Sequence, residues 1–310
     1  MSSPRLLAAV LVCVLTAPAA ADDVIPGHSV DRPTTGLAIG GALVAALGLS
    51  LIPVHVPAGL WQHELFGAAD ESVRDSFSRR AVQLSDGLVI ASAVAPVMYL
   101  TGATIEDADR DRLLIYGESL AVNLALFEGA KHLVQRPRPY AYAQGPAAKD
   151  YTAGQGDDAY QSFYSGHSAT AFCAATAGAY LASASSTSRG VRALAWSSGF
   201  ALAAATANLR VRAGKHFYSD IVIGGLVGVA VGYAVPALHA DGKPYVPDIA
   251  ELGAALAGVV GGGLVSELLP LEHRRDDSLT VGRFARIANL HLAPLTVAGG
   301  SGLALGGTLR

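Results

Sequence analysis

Three short stretches bring together residues able to bind a phosphate and break one of its ester bonds. They are Lys131 to Pro139 (KHLVQRPRP), Tyr164 to His167 (YSGH) and Arg210 to Asp220 (RVRAGKHFYSD). Lys131, Arg138 and Arg210 are fixed cations, and guanidinium groups match phosphate oxygens two at a time. The prolines of Arg136-Pro137-Arg138-Pro139 restrict the backbone around both arginines, which mere anchoring of a helix end in lipid does not require. Ser165, Gly166 and His167 stand just ahead of an apolar run. A helix starting there directs unpaired N–H groups at an anion, with a serine hydroxyl beside them and a histidine able to move a proton near neutral pH. His216 and Asp220 are four apart. On one helix face, Asp220 accepts the proton of one imidazole nitrogen and leaves the other as a nucleophile.

The elements that must position these groups are greasy. The chain has 310 residues, of which 51% are hydrophobic and 15% charged, with a mean hydropathy of +0.38. Soluble domains are about a quarter charged, so this composition points to a membrane protein. The net charge of −3 supplies no basic field for nucleic acid. Residues 1–21 read as a cleavable secretory leader, with Arg5, the apolar run Leu6–Leu15 and Ala19-Ala20-Ala21 before Asp22. Cys13 lies in that leader, which leaves Cys173 unpaired as a small buried hydrophobe.

Apolar runs at Gly36–Pro53, Leu84–Thr104, Leu113–Ala130, Ser168–Ala184, Val191–Asn208, Ile221–Leu238 and Ile249–Leu269 are candidate helices. The first, short and flanked by prolines, is expected not to span. Gly224, Gly228 and Gly232 read as a close helix-packing face. Trp61 to Arg80 alternates apolar and charged residues as an interfacial amphipathic segment does. Ala143 to Gln161 is a polar loop suited to rim a site, and the Gly-rich tail from Ala288 to Arg310 suits a hairpin. The expected organisation is a leader over 1–21, apolar and interfacial segments over 22–83, a helical core over 84–238 and an extension over 239–310.

The three stretches together resemble the signature of the type 2 phosphatidic acid phosphatase superfamily, which also includes vanadium haloperoxidases and bacterial acid phosphatases. The family pattern is K-x6-R-P, then P-S-G-H, then S-R-x5-H-x3-D. Lys131, Arg138 and Pro139 match the first. Ser165, Gly166 and His167 match the second, with Tyr164 in place of proline. Arg210, His216 and Asp220 match the third, with Leu209 in place of serine.

The resemblance implies an all-α, multi-helix membrane bundle and a two-step phosphatase that needs no metal or other cofactor. Lys131, Arg138, Arg210, Ser165 and Gly166 would hold the phosphate. His216 would attack phosphorus, oriented by Asp220, and His167 would protonate the leaving group. The expected substrate is a membrane lipid phosphate, handled at the periplasmic face of a bacterial inner membrane, with no nucleic acid partner and the oligomeric state left open. A periplasmic phosphatase for small soluble esters, a vanadate-dependent haloperoxidase and an inactive membrane scaffold are the alternatives. Tyr164 is expected to rim the entrance, and Arg136 and Arg212 to add charge at its mouth.

Overall fold

The computed structural model describes residues 27–54, 59–62, 64–101, 107–186, 188–271, 287–297 and 300–309. The leader read over residues 1–21 lies outside them. Each of the seven apolar runs forms a helix. In chain order these are α1 (Arg32–Ser50), α3 (Arg79–Leu100), α4 (Asp107–Val134), α6 (Gly166–Ser183), α7 (Arg189–Arg212), α8 (Tyr218–Leu238) and α9 (Ile249–Glu267), with the short α2 (Ala68–Glu71) and α5 (Pro146–Gln155) between them. The tail forms two antiparallel strands, β1 (Ile287–Val297) and β2 (Gly300–Leu309). The protein is an all-α bundle with this one addition.

Helix ends follow local chemistry. Ser78, Ser165, Ser188 and Asp248 cap α3, α6, α7 and α9 by accepting backbone N–H bonds. The chain then runs as a serpentine. At one end His132 meets the Ile52 carbonyl, Arg210 meets Asp86, the Ser165 amide meets the Asp220 carbonyl, and Asn208 meets Glu267. At the other end Arg32 pairs with Asp111, His239 with Glu118, and Arg192 with Glu251. Helices α1, α4, α7 and α9 therefore run toward the first end, and α3, α6 and α8 run away from it.

The helix α6 is the buried axis, with 15 of its residues buried. Small residues bring its neighbours close. A Cβ added at Gly224, Gly228 or Gly232 would stand 2.7, 2.2 or 2.6 Å from the carbonyl oxygens of Ser165, Ala169 and Cys173, so the packing reading of these glycines holds. Cys173 is buried and unpaired, as expected. In the same way α9 closes on α7 through Gly258 and Gly262.

Five helices, α1, α3, α4, α8 and α9, are long and apolar enough to cross a membrane. Their outer faces carry exposed Leu37, Leu47, Ile90, Met98, Leu226 and Leu264, which in lipid need no polar cover. The first run, expected not to span, meets the same standard of length and apolarity. It lies beside α4 and runs parallel to it.

Trp61 to Arg80 departs from its reading. It is a series of turns around α2, not a continuous amphipathic helix, with positive φ at Gly67 (52°) and Asp75 (67°). These turns direct Glu64, Asp70, Val73 and Phe77 inward, while Leu65 and Phe66 stay exposed.

The α7–α8 turn is close-packed against the turns that precede α3. Gly214 has φ of +67°, and a Cβ there would stand 1.7 Å from the Ser76 carbonyl oxygen. Strain and clash act together at this position. Gly214→Ala is expected to destabilise the fold by about 3 kcal/mol or more, read as a fall in the thermal midpoint in detergent.

Candidate active site

The first end of the bundle gathers the C-termini of α4 and α7 and the N-termini of α3, α6 and α8. The site is built from the bends between them. His216 sits in the α7–α8 turn. Its backbone N–H and that of Lys215 both donate to the Arg210 carbonyl, at 3.3 and 3.1 Å, so the last turn of α7 fixes where the imidazole begins.

The His216 ring is buried. Its Nδ1 lies 2.7 Å from the Ser162 carbonyl oxygen, and its Nε2 lies 3.2 Å from Arg138 Nη1. A carbonyl can only accept, so Nδ1 carries the proton, and Nε2 presents its lone pair beside a guanidinium. Burial first, then Arg138 and Arg210, push the imidazole well below its ordinary range. The ring is therefore neutral across neutral pH, the state a nitrogen nucleophile needs. A lowered histidine value keeps the base unprotonated to lower pH, so the acid limb of kcat/KM should fall below about pH 6.5. A pH profile on a substrate whose ionisation is subtracted checks this.

The expected contact from His216 to Asp220 takes another form. The helix begins at Tyr218, so His216 precedes it and the two residues do not share a helical face. Asp220 Oδ2 is 3.9 Å from His216 Nδ1, beyond hydrogen-bond reach. That oxygen accepts instead from Ser162 Oγ at 2.6 Å and from the Phe217 amide at 2.9 Å. Asp220 thus steadies the residue whose carbonyl holds the imidazole, and the start of the helix that follows it.

Arg138 is held from two sides. Its Nε donates to the Asp158 carbonyl at 2.6 Å, Nη1 to the Lys215 carbonyl at 2.8 Å, and Nη2 to Asp158 Oδ1 at 2.6 Å. Lys215 Nζ reaches Asp158 Oδ2 at 3.2 Å. Burial pushes the Asp158 carboxyl up, but Arg138 and Lys215 outweigh it and hold it below the usual carboxylate range. Burial and Arg138 together lower the Lys215 amine to about 8.

Arg210 and His167 meet through a residue that the motif reading did not single out. Asp86, in the first half of α3, accepts from Arg210 Nη1 and from His167 Nε2, both at 2.9 Å. Ser85 Oγ accepts from the same arginine nitrogen at 3.1 Å. Burial first, then Arg210, lowers His167 to about 4, while Asp86 pulls the other way. An arriving phosphate adds negative charge and favours the protonated ring. Asp86→Asn removes the balancing charge. It is expected to lower kcat about tenfold and move its basic limb to lower pH, because the imidazolium is then less stabilised; a purely structural role would leave the limb in place.

Ser165 is the N-cap of α6, accepting from the Ser168 amide at 3.3 Å. Gly166 opens the helix, and a Cβ there would meet the Phe127 ring at 3.0 Å. Its want of a side chain is thus explained by packing as well as by anion approach. Lys131 Nζ lies over that same ring at 4.7 Å and pairs with Glu128 at 2.8 Å.

Three expectations are corrected. Tyr164 is buried against Phe127 and Ala169, not at an entrance. Arg136 is buried among carboxylates, and Arg212 donates to the carbonyls of Ser266, Glu267 and Leu269; neither adds charge at a mouth. Leu209, where the family has serine, packs with Ala81 and Ala213.

The helical bundle has apolar outer faces and brings two histidines, His167 and His216, and two arginines, Arg138 and Arg210, together at one end. Residues 112–243 match the model of the PAP2 superfamily, and over this segment the chain is similar to that family. No curated protein and no solved structure matches the chain. This match supports phosphatase-type activity on a phosphoric ester.

Proposed function

We propose that the protein is a lipid phosphate phosphatase that removes terminal phosphomonoester or diphosphate groups from membrane lipids without a metal. The observation that carries this reading is His216, with Nδ1–H on the Ser162 carbonyl and Nε2 beside Arg138. Nε2 attacks phosphorus, the bond from phosphorus to the ester oxygen breaks, and His167 gives that oxygen its proton. A water then attacks phosphorus, losing its proton to His167; the phosphorus–nitrogen bond breaks, its electron pair returns to Nε2, and orthophosphate is released. Asp86 holds His167 by Nε2, which leaves Nδ1 as the exchanging atom. Lys131, Arg138, Arg210, Ser165 and the Gly166 N–H stabilise charge on the equatorial oxygens.

The apolar outer faces of the helices favour a lipid substrate, because a bundle held in lipid by them would carry the site near the headgroups. Phosphate release in detergent with EDTA, over lipid and soluble phosphates, tests it. Release from lipid phosphates that survives EDTA is the expected result. Activity confined to soluble esters would favour the acid-phosphatase alternative instead.

A site facing the periplasm also constrains the N-terminus. The parallel course of α1 and α4 puts the Arg32 end of α1 at the far end from the site. With α1 crossing, a periplasmic site needs Arg32 inside, whereas a cleaved leader would leave it outside. The two expectations are compatible only if α1 does not cross. We keep the periplasmic site, and impermeant thiol labelling of Lys149→Cys in intact cells should succeed.

A further inference from the structure

We propose that Asp158 is a specificity-determining internal anion, whose carboxylate occupies the Arg138 edge and the Lys215 amine that a substrate phosphate has to take. This rests on the reading of His216 as nucleophile and Arg138 as phosphate cation. Arg138 has five N–H donors. Two of its bonds run to main-chain carbonyls, those of Asp158 and Lys215, and these fix the guanidinium plane. The Nη1 and Nη2 edge remains, with Nη1 at 3.2 Å from His216 Nε2 and Nη2 at 2.6 Å from Asp158 Oδ1.

A phosphorus placed for attack stands about 3–3.5 Å from Nε2. Its oxygens then fall on that same edge, where an arginine takes them two at a time. The Asp158 carboxylate already holds Nη2 with one oxygen and Lys215 Nζ with the other. Two anions do not share one guanidinium edge without strong repulsion.

The side chain has somewhere to go. Asp158 lies on the 3-10 turn Gly156–Tyr160, and its side chain is 43% exposed although Arg138 is buried. It can turn to water while its main-chain carbonyl keeps Arg138 Nε in place. Lys215, which is no part of the family pattern, is then freed for the incoming anion. A phosphate dianion competes with the carboxylate for two cations, and a singly charged diester competes poorly. The arrangement thus selects terminal phosphates over diesters.

Calorimetric titration of detergent-purified protein with orthophosphate and with dimethyl phosphate tests this, on wild type, Asp158→Asn, Asp158→Ser and Asp158→Glu. Orthophosphate should bind at least about fivefold tighter to Asp158→Asn and Asp158→Ser, with the preference over dimethyl phosphate reduced, and Asp158→Glu should stay near wild type. Two neutral variants are used so that misfolding of one leaves the other, and thermal melts identify the folded ones. Unchanged or weaker binding in a folded neutral variant would overturn the proposal, since Asp158 would then serve only to hold Arg138. Absence of orthophosphate binding in wild type and variants alike would overturn the phosphate-site reading beneath it.

Discussion

Arg136→Met should destabilise the protein by about 3–5 kcal/mol, the range for breaking a buried ion pair from one side. Arg136 is fully buried. It donates to Asp220 at 2.6 Å, to Asp70 at 3.0 Å, to Ser219 at 2.7 Å and to Glu64, and lies 4.0 Å from the Phe217 ring centre. Methionine fills much of the volume and leaves three buried carboxylates facing one another, of which, among the described residues, only Glu64 keeps a cation, Arg74. The loss reaches the site, because Asp220 steadies Ser162 and hence His216. The expected readout is a fall of several degrees or more in the detergent thermal midpoint, with phosphate release reduced even at temperatures where the variant is folded. Adding Glu64→Gln and Asp70→Asn should restore part of the stability, because the unpaired charges, not a cavity, cause the loss. A variant within about 1 kcal/mol of wild type would contradict the account.

His216→Ala should abolish turnover by a factor of about 10⁴ or more, since losing a nucleophile removes a whole pathway. The substitution also removes the ring between Ser162 and Arg138, so stability is read beside activity. His216→Asn keeps a polar side chain of similar reach and should be equally inactive, while folding better. Orthophosphate binding should survive in His216→Asn, because Arg138 keeps its bonds to the carbonyls of Asp158 and Lys215. Inactivity with retained binding separates a chemical role from a structural one.

Much of this was legible in the sequence. Length and apolar content were enough to place seven helices, because burial in a bundle or in lipid leaves a one-dimensional signature. The spacing of Lys131, Arg138, His167, Arg210 and His216 points to the candidate site, because phosphate chemistry needs particular residue types. What stayed hidden depends on contacts between distant segments. Asp86 was the most findable, since an acid inside an apolar run is costly unless it has a partner. Ser162 acts through a carbonyl, which no residue type announces. Glu64 and Asp70 read as polar residues of an interfacial amphipathic segment, and the turns at Gly67 and Asp75 bring them inside. The His216–Asp220 spacing suggests a helical pair, but the helix starts two residues after His216.

The central claim is a covalent phosphate on His216 Nε2. It is tested most directly by rapid acid-free quenching of the enzyme with a labelled lipid phosphate, followed by peptide mass spectrometry. The account predicts an acid-labile, base-stable phosphate on the peptide containing His216, formed in the presence of EDTA and accumulating in His167→Ala if the second step is slowed. Steady turnover with no label on that peptide in either protein would contradict it.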